Sequence, residues 1–364
     1  AVLEGTIQQS EGRLRVNVRL FDVRDGVQIW IDSFDEKESD IFRLQDLISE
    51  RISKSLVSNL NAEEKEILAK RPTENVDAYM YYLKGREEWN KRGPKNPIFY
   101  FQKAIELDNN FALAYVGLAD AQAMSPEPSF AEETLRKAIA LDNTLAEPHA
   151  TLGFIRMFHY FDWQEAEREL KKSIELNPNY ATAHHWLGVY YSLHRRLDEA
   201  KAEMLKAHEL DPTSPIILTD LGQLFYFSHE YDRAVEFCNK SLELDPESVW
   251  NYGHLMNIYS KQGKEKEAFD AFWKWVRLAP INSEKEIKKS GVKSMRDYYR
   301  LVLNIQQNFL KKNPNSPDVC QDFLKYNLWL GNQEEALKWV DCAFEKGNHF
   351  TIAFFGVDPL YDDV

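Results

Sequence analysis

A period of 34 residues constrains this chain more than any other feature. Windows beginning at Ala78, Ala112, Ala146, Ala181, Pro215 and Val249 follow one another without gaps, the third with one extra residue in its internal turn. An early small residue recurs as Gly85, Ala119, Gly153, Gly188 and Gly222, and Met256 departs from the pattern in the sixth window. Ala131, Ala166, Ala200, Ala234 and Ala268 open a second apolar stretch, and Ala104, Ala138, Ser173, Ala207 and Ser241 stand seven places further along. Small side chains let two helices approach closely, while Leu118, Leu152, Leu187, Leu221 and Leu255 fill the space between them. Pro178, Pro212, Pro246 and Pro280 close the windows, because proline cannot continue a helix. The pattern predicts a mainly α chain whose centre is an α-α superhelix of six hairpins over residues 78–282.

The flanks follow other periods. Residues 1–35 alternate as strands do: Leu14, Val16, Val18 and Leu20 share one face, and Arg13, Arg15, Asn17 and Arg19 the other. Turn signals at Ser10-Glu11-Gly12 and Asp25-Gly26 predict a three-stranded antiparallel meander. Ser39 and Asp40 then start a helix through Ile41, Leu44, Ile48, Ile52 and Leu56, and Asn61 with Glu64 predicts a short second one. The expected organisation is a small α+β module over 1–70, a linker over 71–77, the hairpins over 78–282, a two-helix insertion over 283–316 and a divergent hairpin with its cap over 317–364.

These windows resemble the tetratricopeptide repeat, most closely in "HHWLGVYYSLHRRLDEAKAEMLKAHELDP". Pro97 in place of the second-helix alanine, Asn109 and Asn143 in place of closing prolines, and Trp275 at a small-residue position depart from that pattern and imply irregular packing in the first and sixth hairpins. "VLEGTIQQSEGRLRVNVRLFDVRDGVQIWIDSFD", followed by "DIFRLQD" and "RPTENVDAYMYYLKGR", is similar to the second half of the TolB-like domain that precedes such repeats in bacterial signalling proteins. "FFGVDPLYDDV" is similar to how those chains finish. The resemblance implies a regulatory or docking half joined to a cyclase, kinase or winged-helix output domain, with the first strands and helix of the TolB-like domain outside this sequence. An opening alanine with strand from the second residue likewise suggests a chain that begins inside a longer polypeptide.

A net charge of -13 argues against nucleic acid and anionic membrane surfaces, which select basic proteins. No apolar run is long enough for a membrane span, so the expected location is the cytoplasm, or outside it if a span lies upstream. Three cysteines, Cys238, Cys320 and Cys342, lack metal-ligand spacing and indicate neither a disulfide framework nor a zinc ribbon; they favour a reducing compartment. No phosphate loop, nucleophile elbow or paired-carboxylate motif occurs, so no enzyme, cofactor or metal is expected. His149 and His184 share one place in successive windows and read as scaffold. His159 and His194, at matching turns, could approach each other, but two ligands do not make a zinc site.

Function is expected on the concave face of the first helices. In the first hairpin that face carries Tyr79, Tyr82, Arg86 and Trp89, in the third Phe154, Met157 and Phe158, and in the fourth His185. In the fifth and sixth it carries Gln223, Tyr226, Phe227, Trp250, Asn257 and Lys261. Aromatics along a groove are interface candidates because they bury much area at low rotamer cost. They contact either a protein or peptide partner, self-association included, or the chain's own amino-terminal module or helices 284–312. With Tyr82 and Arg86 where a lysine and an asparagine would stand, a chaperone-type clamp is not expected. The leading expectation is a non-enzymatic interaction scaffold, and the alternative a small-ligand sensor controlling an attached output domain.

Overall fold

The structure is a computed structural model describing residues 2–21, 27–37, 40–56, 71–91, 96–124, 128–278, 284–312, 318–346 and 357–361. The Asp25-Gly26 turn, the helix expected from Asn61 and Glu64, and Pro280 lie outside them. The chain is mostly helical, with a small antiparallel sheet at its amino-terminal end and a helical repeat region. It divides into two compact units, Ala1–Asn143 and Thr144–Val364.

In the first unit, strands β1 (Val2–Ser10), β2 (Arg13–Phe21) and β3 (Gln28–Lys37) pair in that order. Glu11 and Gly12, both at positive φ, join β1 to β2 in the two-residue turn that suits strand twist. Val16, Val18 and Leu44 form the core under the helix Ile41–Leu56, with Trp30, Phe34 and Ile48 packed on it. On the other face Asn17 links Thr6 to Ser33, and Asp35 is gripped by Arg13 and Arg15. The same helix leaves β1 uncovered: Leu3 and Ile7, on the face of Leu20 and Val16, are 48% and 71% exposed. Two hairpins follow, Val76–Lys91 with Pro97–Leu107 and Ala112–Ala123 with Ser129–Leu141. Pro97 occupies the first turn of its helix behind the Asn96 cap, where its missing N–H costs nothing.

The second unit holds four hairpins: Glu147–Phe158 with Trp163–Leu176, Ala181–Leu193 with Leu197–Leu210, Pro215–Phe227 with Tyr231–Leu244, and Val249–Lys261 with Glu265–Leu278. The small-residue positions are the closest approaches within a hairpin. A Cβ added to Gly188 would lie 2.5 Å from Met204 and one added to Gly222 2.6 Å from the Cys238 sulfur. Ala166, Ala200, Ala234 and Ala268 are fully buried opposite them. Each internal turn crosses the left-handed region at one residue, Phe161, Arg195, His229 and Gly263 in succession. The next N–H then reaches back to the helix just ended, as in Arg196 to Tyr191 and Glu230 to Phe225. In the third hairpin the bond runs from Asp162 to Arg156, one residue longer, which places the extra residue of that window in the turn.

Between hairpins the polar residue before the proline matters more than the proline. Asn177, Asp211 and Asp245 each end a second helix and accept, through the side chain, the N–H two residues on. In the first unit Asp108 makes the same bond to Asn110 although no proline follows. Beyond the hairpins, Met295–Lys312 packs against Asp318–Leu330, and Phe272, Tyr298, Tyr326, Tyr299 and Trp329 run in ring contact from the sixth hairpin into this pair. Helices Gln333–Leu337 and Val340–Lys346 return along Asp318–Leu330. Cys320 and Cys342 are disulfide-bonded there, although the cysteine spacing indicated no disulfide framework. Helices that double back bring the two sulfurs together, and sequence spacing carries no sign of it.

Candidate functional site

The first helices of the repeats carry the expected residues, but the chain itself covers most of them. In the first unit Tyr79 accepts a hydrogen bond from Gln45 at 2.9 Å and packs on Phe42, so the amino-terminal helix sits on it. Tyr82 lies between Phe101 and Phe111, Arg86 is paired with Asp120 of the next hairpin at 2.8 Å, and Trp89 is half-buried.

In the second unit three expectations need correction. Phe154, Met157 and Phe158 are buried, with Trp186 of the following hairpin 4.8 Å from Phe154 and 6.2 Å from Phe158 between ring centroids. Trp186 of the neighbouring repeat thus covers part of a face that was expected to be open. His185 is not a groove-surface residue: it is 3% exposed, and its Nε2 lies 2.6 Å from Asp220 in the fifth hairpin. A short side chain on the concave side is closed over when first helices come this near. Phe227 is likewise buried, and Gln223 and Asn257 are half-buried. Trp250 is 76% exposed, more than any other large apolar side chain among the described residues.

His149 and His184 each turn Nδ1 toward a glutamate of their own hairpin, Glu169 at 2.7 Å and Glu203 at 2.6 Å. His184 also reaches the Pro178 carbonyl, tying the start of its helix to the preceding junction. His194 lies against Trp163 and Tyr190, and His159 against Phe154. Among the described residues no group of three or more metal-ligating side chains converges.

Two expected residues meet a part of the chain that the concave-face argument did not include. Tyr226 donates its hydroxyl proton to Asp358 Oδ1 at 3.0 Å, and Lys261 Nζ donates to the Pro359 carbonyl at 2.6 Å. The turn Pro359–Tyr361 also touches the helix Asp318–Leu330. Lys261 lies over the Trp329 ring, and Lys325 adds positive potential at the carboxylate. Burial nevertheless pushes the Asp358 carboxyl above its ordinary range, against the hydrogen bonds from Leu360 and Tyr226. Val357 and Leu360 are buried. Asp358, Pro359, Lys325 and Trp329 were missed as site residues. The Asp-Pro pair is a helix-start signal, but nothing local says where such a turn docks.

Elsewhere, a cleft of ≈ 350 Å³ lies between Met295–Lys312 and Asp318–Leu330, lined by Arg296, Arg300, Asn304 and Asn327 among others. No helix among the described residues is long and apolar enough to cross a membrane.

Comparison with known proteins agrees with this geometry. Residues 169–202 and 217–248 match family models described as tetratricopeptide repeat. A Rhizobium meliloti (strain 1021) protein named "Putative adenylate cyclase 3" is 27% identical over 208 residues, which is 55% of this chain and 30% of that protein. The chain therefore matches less than a third of that relative's length. Among solved structures, a chain of the APC/C hetero-tetramer Cut9-Hcn1 aligns with a TM-score of 0.50 at 18% identity, over 67% of this chain and 52% of that one. A thermophilic TPR protein of Thermus thermophilus aligns with a TM-score of 0.41 at 22% identity, over 48% of this chain and 94% of that one. Residues 169–202 and 217–248 thus carry tetratricopeptide repeats, and the helical repeat region has the fold of tetratricopeptide solenoids, which is typically a non-catalytic scaffold for protein interactions. Both family matches fall within 169–248 and leave the amino-terminal module unassigned.

Proposed function

We propose that this chain is a regulatory interaction module in which the first helices of the fifth and sixth hairpins hold a protein or peptide segment. The observation that carries this reading is the contact of Tyr226 and Lys261 with Asp358 and Pro359: two side chains on successive repeats already grip a turn of polypeptide. Preorganised helices hold such donors in place with little entropy left to lose on binding. The relative's name fits a signalling context, in which the repeats and the TolB-like module would govern an attached output domain. The uncovered inward side chains of β1, Leu3 and Ile7, support the TolB-like assignment, since that domain supplies further strands and a helix.

Selection of random peptides on the full chain tests the proposal. Enriched peptides are expected to bind one to one by calorimetry and to lose affinity when Lys261→Glu reverses the charge at the grip. Failure to enrich any peptide would remove the interaction reading. The Arg296 and Arg300 cleft favours a second reading, an anionic small-molecule sensor, which predicts saturation by a small anion alone.

A further inference from the structure

Val357–Tyr361 is held by side chains from two repeats and a later helix, and three features set this contact apart from ordinary packing of a chain end. The first is its centre, a carboxylate. Asp358 accepts from Tyr226 with Lys261 and Lys325 nearby, where an apolar residue would have been cheaper to bury. The second is that Lys261 donates to a main-chain carbonyl, a group that any peptide in this pose presents. The third is that the turn is built by its own sequence: Asp358 Oδ1 also accepts from Leu360 N–H at 2.8 Å, and Pro359 opens the short helical turn with its backbone angle preset. The same residues would form the same turn in another chain. Val357 and Leu360, 5% and 9% exposed, supply the apolar contacts on either side of the acidic centre.

We propose that Tyr226, Lys261 and Lys325 form a reader for an apolar–Asp–Pro–Leu turn, that Val357–Leu360 fills it in cis, and that a protein partner carrying the same motif binds by displacing this segment. The inference rests on the interaction-module reading and names its ligand class and its regulation. A tethered occupant acts at an effective concentration of about a millimolar, so only a partner of good affinity or high local abundance displaces it.

The test uses the labelled peptide FFGVDPLYDDV, the full chain and the chain ending at residue 356, read by fluorescence anisotropy. The shortened chain is expected to bind one peptide, and the full chain to bind it at least about tenfold more weakly because the tethered copy competes. Replacing the peptide's aspartate by alanine, or Lys261→Met in the shortened chain, should weaken binding by about tenfold or more. A shortened chain that melts like the full chain yet does not bind the peptide overturns the proposal. If the shortened chain fails to fold, full-length Asp358→Ala decides: faster amide exchange confined to 357–361 with a melting point within about 2 °C is expected. Cooperative loss of the whole 144–364 unit would make the segment a core element and overturn the proposal. Selected peptides that bind equally with and without residues 357–364 would remove this inference and leave the interaction module standing. A selection that yields nothing, while the shortened chain still binds the tail peptide, would remove the interaction reading and with it the displacing partner, and so overturn the proposal by a different route.

Discussion

Tyr226 and Asp358 are joined by a hydrogen bond of 3.0 Å across 132 residues of sequence. It fixes the end of the described chain to the first helix of the fifth hairpin, and its acceptor is a carboxylate whose burial opposes ionisation. A hydrogen bond to a charged partner contributes about 1.5–3 kcal/mol. Tyr226→Phe should therefore speed local opening of 357–361 roughly ten- to hundredfold while the repeats keep their melting temperature, because the segment lies at the edge of the cooperative unit. Amide exchange resolved to those residues checks this, and unchanged exchange would show that the bond does not hold the segment.

Close approach at the small-residue positions is testable in the same hairpin. Gly222→Ala places a methyl group 2.6 Å from the Cys238 sulfur and 3.3 Å from the Ala234 carbonyl, and should cost about 1–3 kcal/mol as overpacking. Cys238→Ala removes the obstructing atom. The double variant should then be more stable than the sum of the two single changes implies, as urea denaturation of all four proteins in a double-mutant cycle would show.

The internal turns carry strain that a single substitution relieves. Arg195 and His229 sit at φ of 56° and 58°, where Gly263 stands in the sixth hairpin at 70°. Arg195→Gly and His229→Gly should each raise stability by up to about 1 kcal/mol, since glycine enters the left-handed region without a Cβ penalty. A lower melting temperature for both variants would mean that their side-chain contacts outweigh the backbone term.

Much of this was legible in the residues. The period of 34 marks the hairpins because it repeats small and large residues that must meet in every unit, and the strand alternation of Arg13–Phe21 follows from one covered face. The paired surroundings of His149 and His184 follow from their matching places. His185 was misassigned because a helical-wheel position tells which way a side chain points, not that Asp220 of the next repeat closes over it. The grip on Asp358 and the Cys320–Cys342 bond were invisible for a plainer reason: both depend on how helices after residue 284 fold back, and no local pattern encodes that return.

Acid should weaken the second unit through two of its histidines. Burial, with Lys240 nearby, lowers the His208 pKa against the pull of Asp211. Burial also lowers that of His254, where Asp220 opposes and Lys325 assists. Histidines depressed in the fold bind fewer protons than in the unfolded chain, so their contribution is complete above about pH 6.5 and is lost as pH falls through that value toward the folded-state pKa. The urea midpoint should drop between about pH 7.5 and 5.5, and His208→Gln together with His254→Gln should flatten the slope in that window. An unchanged slope would assign the acid sensitivity to other groups.

The central proposal is that the first helices of the fifth and sixth hairpins hold polypeptide and that residues 357–360 fill this place in cis. Hydrogen exchange of the full chain, with and without a saturating peptide from the selection, tests this most directly. The predicted result is new protection in the helices Pro215–Phe227 and Val249–Lys261 together with faster exchange at 357–361, as one occupant replaces another. Protection confined to other helices, with 357–361 unchanged, would contradict it.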